Sequence, residues 1–218
     1  MAVQGERNAS GIEAMTRQSR QSGLSEPQLL TYVGGQFDSA ATVRQLQASG
    51  RQGVFLLGSG ADALSFMREA EKAGWFPSVF LLGAVVAGEV MNTPVGFDRR
   101  VFMAFPIAPA DQSAEGMKEF RAFSTRHQLP TKHVTSQIQA YAAAKLLVEG
   151  LKRAGKDLSR ERLVQALEGL YEFKTGLTRP ITFGPNRHTG ALGAYVITVD
   201  LKEKRLVQVG GWIGLEGN

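Results

Sequence analysis

The residues best placed for chemistry follow a short apolar run, Val54–Leu57, and precede a segment with helical periodicity. They are Gly58-Ser59-Gly60-Ala61-Asp62-Ala63, which match the dinucleotide-binding pattern G-x-G-x-x-A between a strand and a helix. The acid that would hold a ribose is missing, because the next apolar run ends in Leu82-Gly83-Ala84-Val85. A Rossmann-type nucleotide-dependent enzyme is therefore only an alternative. The general prediction is a set of helix N-terminal amides at the carboxyl end of a strand, where many ligands bind.

Other catalytic or metal-binding arrangements find little support. Ser59 lacks the G-x-S-x-G frame of a nucleophile elbow, and no histidine follows at a convincing place. His127 and His133 are six positions apart with Pro130 between them, so they do not share a helical face, and His188 is distant. The chain has no cysteine, which excludes disulfides, thiolate catalysis and cysteine-ligated metals. We therefore predict a protein that is not an enzyme and that uses no cofactor or metal.

Composition and charge limit the classes of protein to which the chain can belong. The 218 residues are 43% hydrophobic and 21% charged, which is typical of a globular chain. The net charge is +5, but the basic residues are scattered in pairs such as Arg17/Arg20 and Arg99/Arg100, which argues against nucleic-acid binding. No apolar run approaches the roughly 20 residues of a membrane span. The first eleven residues do not resemble a signal peptide, so the chain as written would remain cytoplasmic.

The elements around the glycine motif predict an α/β fold. The runs Val54–Leu57 and Val79–Leu82 are apolar without alternation, and the segment between them carries Leu64, Met67 and Ala70 at helical spacing. Such a pair is typical of parallel strands buried on both faces and joined by a right-handed crossover. A similar unit precedes it. We therefore predict a three-layer, doubly wound parallel sheet.

The rest of the chain predicts covering helices and a C-terminal hairpin. The expected elements are a strand at 100–105, a hinge-like link at 109–113, helices at 113–127, 135–154 and 159–170, and strands at 181–184, 194–201 and 206–212. The helix around Tyr141 is apolar over much of its circumference, through Ile138, Tyr141, Ala142, Leu146, Leu147, Val148 and Leu151. A helix of this kind is normally packed against other elements on two sides. Within the 218 residues we find packing partners for only one side. We therefore expect association through this helix.

Several motifs, in this order, carry a resemblance to a known family. They are Ala2-Val3 with Asn8-Ala9-Ser10-Gly11 as a strand and turn, Gly35–Ser39, Gly58–Ala63, Tyr141-Ala142-Ala143, Phe173–Gly176 and Ile181–Phe183. In order and spacing they resemble the second lobe of type I periplasmic binding proteins, specifically the leucine/isoleucine/valine-binding receptors of ABC transporters. Ala142 stands where an aspartate is common in the family. The resemblance covers almost the whole chain.

The resemblance implies a solute-binding receptor in the periplasm that delivers its ligand to a membrane permease. Family members carry an N-terminal lobe and a secretion signal before the position of Met1, so the chain resembles a fragment. The implied division is a ligand-binding lobe at 1–108, a helical segment at 109–180 that packs on the missing lobe, and strands at 181–218 that return through the hinge. The missing lobe or a second copy would then cover the Tyr141 helix.

The resemblance also implies where a solute binds. The corresponding strand tips are Ala9/Ser10, Ser59/Gly60 and Ala84/Val85. None is a carboxylate, so an α-amino acid would lose a charge-assisted hydrogen bond worth about 1.5–3 kcal/mol. We therefore expect a small organic acid or another solute. A cytosolic ligand sensor or regulator of the same fold is the principal alternative, and the nucleotide-dependent enzyme is another.

Overall fold

Seven strands and six α-helices form within residues 1–4, 6–83, 89–131 and 133–214, which are the parts of the chain that the computed structural model describes. The chain divides into two compact units, one of Met1–Ala104 with Ile197–Val209 and the other of Phe105–Val196 with Gly210–Asn218. The chain therefore passes between the units three times. None of the helices in the described ranges is long and apolar enough to cross a membrane.

The first unit alternates strands and helices as the sequence predicts. Its elements are β1 (Ala2–Val3), α1 (Glu6–Gln21), β2 (Thr31–Tyr32), α2 (Ser39–Ala48), β3 (Gly53–Leu56), α3 (Gly60–Lys72), β4 (Ser78–Leu82) and most of β5 (Val101–Phe105). Two short 3₁₀ turns, Val90–Asn92 and Val95–Phe97, precede β5. The pattern of alternating elements confirms the α/β fold class.

The strands of this unit are parallel neighbours. β1 pairs with β2, and β3, β4 and β5 pair in sequence with Phe55 opposite Phe80 and Phe80 opposite Phe102. The α-amino nitrogen of Met1 donates to the Phe55 carbonyl at 2.8 Å, and the Leu57 amide donates to the Met1 carbonyl at 2.9 Å. These bonds place β1 between β2 and β3. The strand order is therefore β2-β1-β3-β4-β5.

The two faces of the sheet differ in their cover. Right-handed crossovers put α1 on one face and α2 with α3 on the other, because α1 leads in the opposite direction along the sheet. On one face Val54, Leu56, Val79, Leu81, Val101 and Met103 are at most 5% exposed. On the other, Phe55 and Leu82 are 45% and 48% exposed. Within the described ranges, the prediction that these strands are buried on both faces is therefore wrong for the second face.

The second unit is mainly helical. It contains α4 (Ala114–Arg126), α5 (Val134–Ala154) and α6 (Arg160–Glu168), close to the predicted helices. The N-caps of α4 and α6 are Ser113 and Ser159, whose side chains accept a backbone amide three residues on. Two apolar clusters form its core: Ile107, Phe120, Ile138, Ala142 and Leu177, and Leu146, Leu170 and Ile181.

The helix that contains Tyr141 is buried on one face only within the described part of the chain. Ile138, Ala142 and Leu146 are at most 9% exposed, because they pack in the two clusters. On the other side, Leu147, Val148 and Leu151 are 37–50% exposed. The one-sided cover that the sequence predicts for this helix is therefore present.

Two sequence-based predictions about elements need correction, and a third is confirmed with slightly different bounds. Asn8–Gly11 is not a turn, because α1 already begins at Glu6. The predicted strand at 181–184 forms only isolated bridges, Phe173 with Ile181 and Gly184 with Arg187. The predicted C-terminal hairpin is present as β6 (Gly193–Asp200) and β7 (Arg205–Gly214), which follow β5 in the sheet order.

Candidate functional site

The candidate site lies at the carboxyl ends of β1 and β3, where α1 and α3 begin. Carboxyl ends of parallel strands lie at one edge of a sheet, which is where open α/β folds bind ligands. The Asn8 side-chain nitrogen on the first turn of α1 donates to the Leu57 carbonyl at 3.3 Å. This bond holds the start of α1 against the end of β3.

A capping box forms the N-terminus of α3. The Ser59 hydroxyl oxygen accepts from the Asp62 amide at 3.1 Å, and the Asp62 carboxylate accepts from the Ser59 amide at 3.2 Å. The sequence encodes this cap through a serine followed three positions later by an acid. The amides of Gly60 and Ala61 in the first turn have no acceptor within the helix. The positive end of the helix dipole lies at the same place.

Tyr32 lies across the turn between β3 and α3. Its hydroxyl donates to the Asp62 carboxylate at 3.0 Å, and burial followed by this hydrogen bond raises the pKa of Tyr32 above its ordinary value. A Cβ atom at Gly58 would lie 2.1 Å from the Tyr32 hydroxyl oxygen. Position 58 must therefore be glycine for the tyrosine to reach Asp62.

Glu89 brings a carboxylate to the site that the strand tips lack. A Cβ atom at Gly60 would lie 2.7 Å from a carboxylate oxygen of Glu89, so this side chain lies directly against the first residue of α3. The predicted strand tips contain no carboxylate themselves, but the Glu89 carboxylate lies close to one of them. Glu89 lies seven positions beyond the last residue of β4, so its position along the chain gave little sign of its proximity to Gly60. An acid in the sequence that follows a central strand was the only available signal.

The predicted site residues have different positions. Ser59 is exposed as the α3 cap, and Gly60 is buried beside it as the first helical residue. Ala9 and Ser10 are exposed on α1, next to the Asn8 that contacts the end of β3. Ala84 and Val85 lie outside the described residues. Sequence reasoning missed the residues of the Tyr32–Asp62 pair and Glu89.

The predicted hinge-like link is held in place within the second unit. Pro109–Asp111 forms a 3₁₀ turn, and the Asp111 carboxylate accepts from the Ala108 amide at 2.9 Å and from the Tyr195 hydroxyl at 2.7 Å. Arg179 donates to the same hydroxyl at 3.3 Å and lies 4.8 Å from the centre of the Trp212 ring. Desolvation is the largest influence on the pKa of Tyr195, which is raised.

The described residues contain no cluster of three or more histidine, aspartate or glutamate side chains arranged to hold a metal ion. The glycines of the G-x-G-x-x-A pattern have contacts of their own: Gly58 accommodates Tyr32, and Gly60 accommodates Glu89. The pattern therefore does not need a nucleotide to explain it.

The fold is an α/β fold with a parallel sheet, and a family comparison identifies the class. The chain belongs to the periplasmic binding protein family, whose model matches residues 3–205. The family is one of substrate-binding proteins rather than enzymes. A search of curated proteins finds no match.

Several solved structures of periplasmic binding proteins have the same fold as this chain. One is a branched-chain amino acid ABC transporter protein from Thermus thermophilus with bound valine, at 17% identity and a TM-score of 0.79 over 99% of this chain and 60% of that one. A fatty acid ABC transporter substrate-binding protein from Thermomonospora curvata has 21% identity and a TM-score of 0.77 over 99% and 56%. A solute-binding protein from R. palustris in complex with benzoate has 16% identity and a TM-score of 0.73 over 99% and 59%. The chain thus spans less than two thirds of the length of each.

Proposed function

We propose that the chain is the solute-binding part of a periplasmic receptor that delivers a small organic molecule to the permease of an ABC transporter. The observation that supports this most directly is the N-terminus of α3 at the carboxyl edge of the sheet, where Ser59 and Ala61 are exposed and the first-turn amides of Gly60 and Ala61 have no acceptor within the helix. Family membership supports the receptor class and the periplasmic location.

The proposed receptor needs a second polypeptide region for tight binding. The chain spans 56–60% of the three solved structures described above, and we propose that the remainder supplies the opposing wall of the site. A small-molecule pocket normally buries 70–90% of its ligand, and receptors with two lobes achieve this by closing over it. One wall supplies only part of that contact. The chain by itself is therefore expected to bind a solute with a micromolar or weaker dissociation constant.

The proposed ligand is a small organic acid. Its carboxylate would accept hydrogen bonds from the Gly60 and Ala61 amides, and the α3 dipole would stabilise its charge by about 0.3–1 kcal/mol. The uncharged predicted tips Ser10 and Ser59 are compatible with such a ligand.

Glu89 favours a second class of ligand, an α-amino acid. Its carboxylate beside Gly60 could accept from an α-ammonium group while the α3 amides donate to the α-carboxylate. The charge-assisted bond that the strand tips do not offer would then come from Glu89.

Calorimetric titration with benzoate and with valine tests both classes. The organic-acid proposal expects heat with benzoate only, and Glu89→Gln should strengthen that binding a few-fold because a like charge is removed. The amino-acid alternative expects heat with valine, weakened about tenfold by Glu89→Gln, which corresponds to about 1.4 kcal/mol. Glu203→Gln, an exposed acid in the turn between β6 and β7, is the matched control.

Two outcomes would contradict the proposal. A submicromolar dissociation constant for the isolated chain would show that no second wall is needed. Affinities that are equal in the wild-type chain and in a Gly60→Asp variant would show that a solute binds elsewhere, since this substitution puts a bulky anion at the α3 N-terminus.

A further inference from the structure

Three phenylalanines form a partly exposed apolar strip on the sheet of the first unit, in which Phe55 is exposed and Phe80 and Phe102 are half-buried. Phe55, Phe80 and Phe102 occupy paired positions on β3, β4 and β5, with ring centroids 4.6 Å and 5.2 Å apart and nearly parallel planes. Leu82 lies on the same face, since it is two residues beyond Phe80. We call these four residues the phenylalanine face. Phe55 and Leu82 are about half exposed, while the opposite face of the same strands is buried.

A groove runs beside this face. A cavity of about 800 Å³ is lined by Phe55 and Leu57 of the β3 segment, by Ile12 and Met15 of α1, and by Met1. α1 contacts the sheet here, since a Cβ atom at Gly11 would lie 3.8 Å from a Leu57 methyl carbon. α1 therefore bounds this cavity on one side, and Phe55 is the residue of the phenylalanine face that lines it.

We propose that the phenylalanine face is the docking surface for one amphipathic α-helix from a polypeptide outside residues 1–218. Parallel sheets in α/β proteins carry helices on both faces. Here α2 and α3 lie on one face and are joined by a hydrogen bond of 2.9 Å between the Ser39 and Ser65 hydroxyls. The other face carries only α1 among the described elements. One helix is missing from the expected cover.

The dimensions of the exposed strip match a single helix. Three neighbouring strands span two spacings of about 4.8 Å, roughly 10 Å, which is the diameter of a helix with its side chains. β3, β4 and β5 have four or five residues each, and about 13–17 Å of strand is covered by roughly ten helical residues. The apolar rings then meet a stripe of apolar residues at helical spacing.

A second copy of the chain fits this surface less well. α1 rises about 10 Å above the sheet beside the groove, so the flat sheet of another copy would meet α1 before it reached the rings. The comparisons show where such a helix could come from. The matched structures contain polypeptide without a counterpart in this chain, which spans 60% of the Thermus thermophilus structure. The assignment of the helix to this additional polypeptide rests on the proposed function, whereas the description of the phenylalanine face does not.

Fusion of a designed helix tests the proposal in the full chain. A peptide of about 14 residues, with leucines at i, i+3, i+4 and i+7 and glutamate or lysine elsewhere, is joined to Met1 by a short glycine-serine linker. Met1 lines the groove, so the linker holds the helix close to the face. We expect the unfolding equilibrium constant to fall about tenfold in urea titrations and anilinonaphthalene sulfonate emission to decrease. A fusion with the same residues in scrambled order should show neither change.

Substitutions then test whether the stabilisation by the fused helix depends on the phenylalanine face. Phe55→Gln in the fusion should abolish the stabilisation, while Tyr171→Gln, an aromatic that is 77% exposed in the other unit, should leave it intact. Far-ultraviolet circular dichroism of the unfused Phe55→Gln chain checks that the variant folds. Equal stabilisation by the ordered and scrambled helices would overturn the proposal.

Two other occupants have their own signatures, and each would overturn the helix assignment. If the unfused chain sediments as a dimer that Phe55→Gln dissociates, a second copy covers the face. If laurate stabilises the unfused chain and Phe55→Gln removes the effect, an apolar small molecule fills the groove. Failure of benzoate or valine to bind concerns the α3 N-terminus and leaves these readouts unchanged.

Discussion

Single residues in the turn between β3 and α3 have roles that their spacing alone would assign to a nucleotide. Gly58 lies under the Tyr32 hydroxyl, and Gly60 lies against the Glu89 carboxylate. Ser59 and Asp62 satisfy each other in the capping box. The G-x-G-x-x-A pattern is therefore explained by contacts with side chains distant in the sequence.

Gly58→Ala should destabilise the protein by about 1–3 kcal/mol, because the added methyl carbon overlaps the Tyr32 hydroxyl oxygen. Tyr32→Phe removes that oxygen, so the double variant should recover part of the loss relative to Gly58→Ala. Urea unfolding of the two single variants and the double variant measures this coupling. Strictly additive losses would show that the tyrosine does not cause the effect.

The buried acid Asp200 makes stability depend on pH. The Glu203 amide donates to it at 3.0 Å and Arg99 at 2.6 Å, and these two contacts, in that order, hold the pKa of Asp200 below its usual value. A lowered folded-state pKa means that the charged form is favoured by folding. The stabilisation is therefore complete above the unfolded pKa of about 3.9 and is lost as the pH falls through the folded pKa.

Asp200→Asn should consequently lower the urea midpoint at pH 7 and have a smaller effect at pH 3. Arg99→Gln should show the same trend more weakly, because its side chain is 64% exposed and its charge is screened. A deficit for Asp200→Asn that is identical at both values of pH would contradict the assignment.

At the scale of elements, α5 shows how one helix has two different faces. Leu146 packs with Leu170 and Ile181, whereas the next residue, Leu147, is 48% exposed. Both leucines contribute to the same apolar sequence pattern, which predicts a helix with little polar surface. The two leucines differ only in how deeply the tertiary structure buries their side chains.

Leu146→Ala should lower the free energy of unfolding by about 2–5 kcal/mol, since it leaves a cavity in the cluster. Leu147→Ala on the neighbouring face should change it by no more than about 0.5 kcal/mol. Chemical denaturation followed by circular dichroism compares the pair. A comparable loss for Leu147→Ala would mean that the exposed face of α5 is covered in solution.

Local sequence signals were sufficient to predict the type and position of most helices and strands. The serines that cap α3, α4 and α6 mark the starts of these helices in the sequence, and the predicted boundaries of the second-unit helices agree to within two residues. The start of α1 was placed too late because Asn8–Gly11 has turn-forming residues, yet Asn8 bonds to Leu57 from within the helix. The strand predicted at 181–184 failed because its pairing partners are other loop residues.

At the scale of the whole molecule, the net charge of +5 has no concentrated footprint. Arg17, Arg20, Lys72 and Arg153 each pair with a nearby glutamate at the surface. Paired charges attract phosphate weakly because an acid lies beside each cation. The pI of about 9.6 therefore does not indicate a nucleic-acid partner.

Fluorescence anisotropy with a labelled DNA duplex should accordingly show a dissociation constant no tighter than the nonspecific range of about 10⁻⁴ to 10⁻⁶ M at physiological salt. Nanomolar binding with a steep dependence on salt would contradict this expectation.

The sequence by itself determined the type and order of most elements, the parallel α/β class and the resemblance to the binding-protein family, because capping residues, helical spacing and apolar runs are local features. The division into 1–108, 109–180 and 181–218 stays a prediction. Only the tertiary structure decided that Glu89 lies against Gly60, that Tyr32 reaches Asp62 and that Phe55 faces outward. A strand that is apolar on both sides carries no local mark of which side receives a helix, and contacts between distant residues depend on how the elements pack.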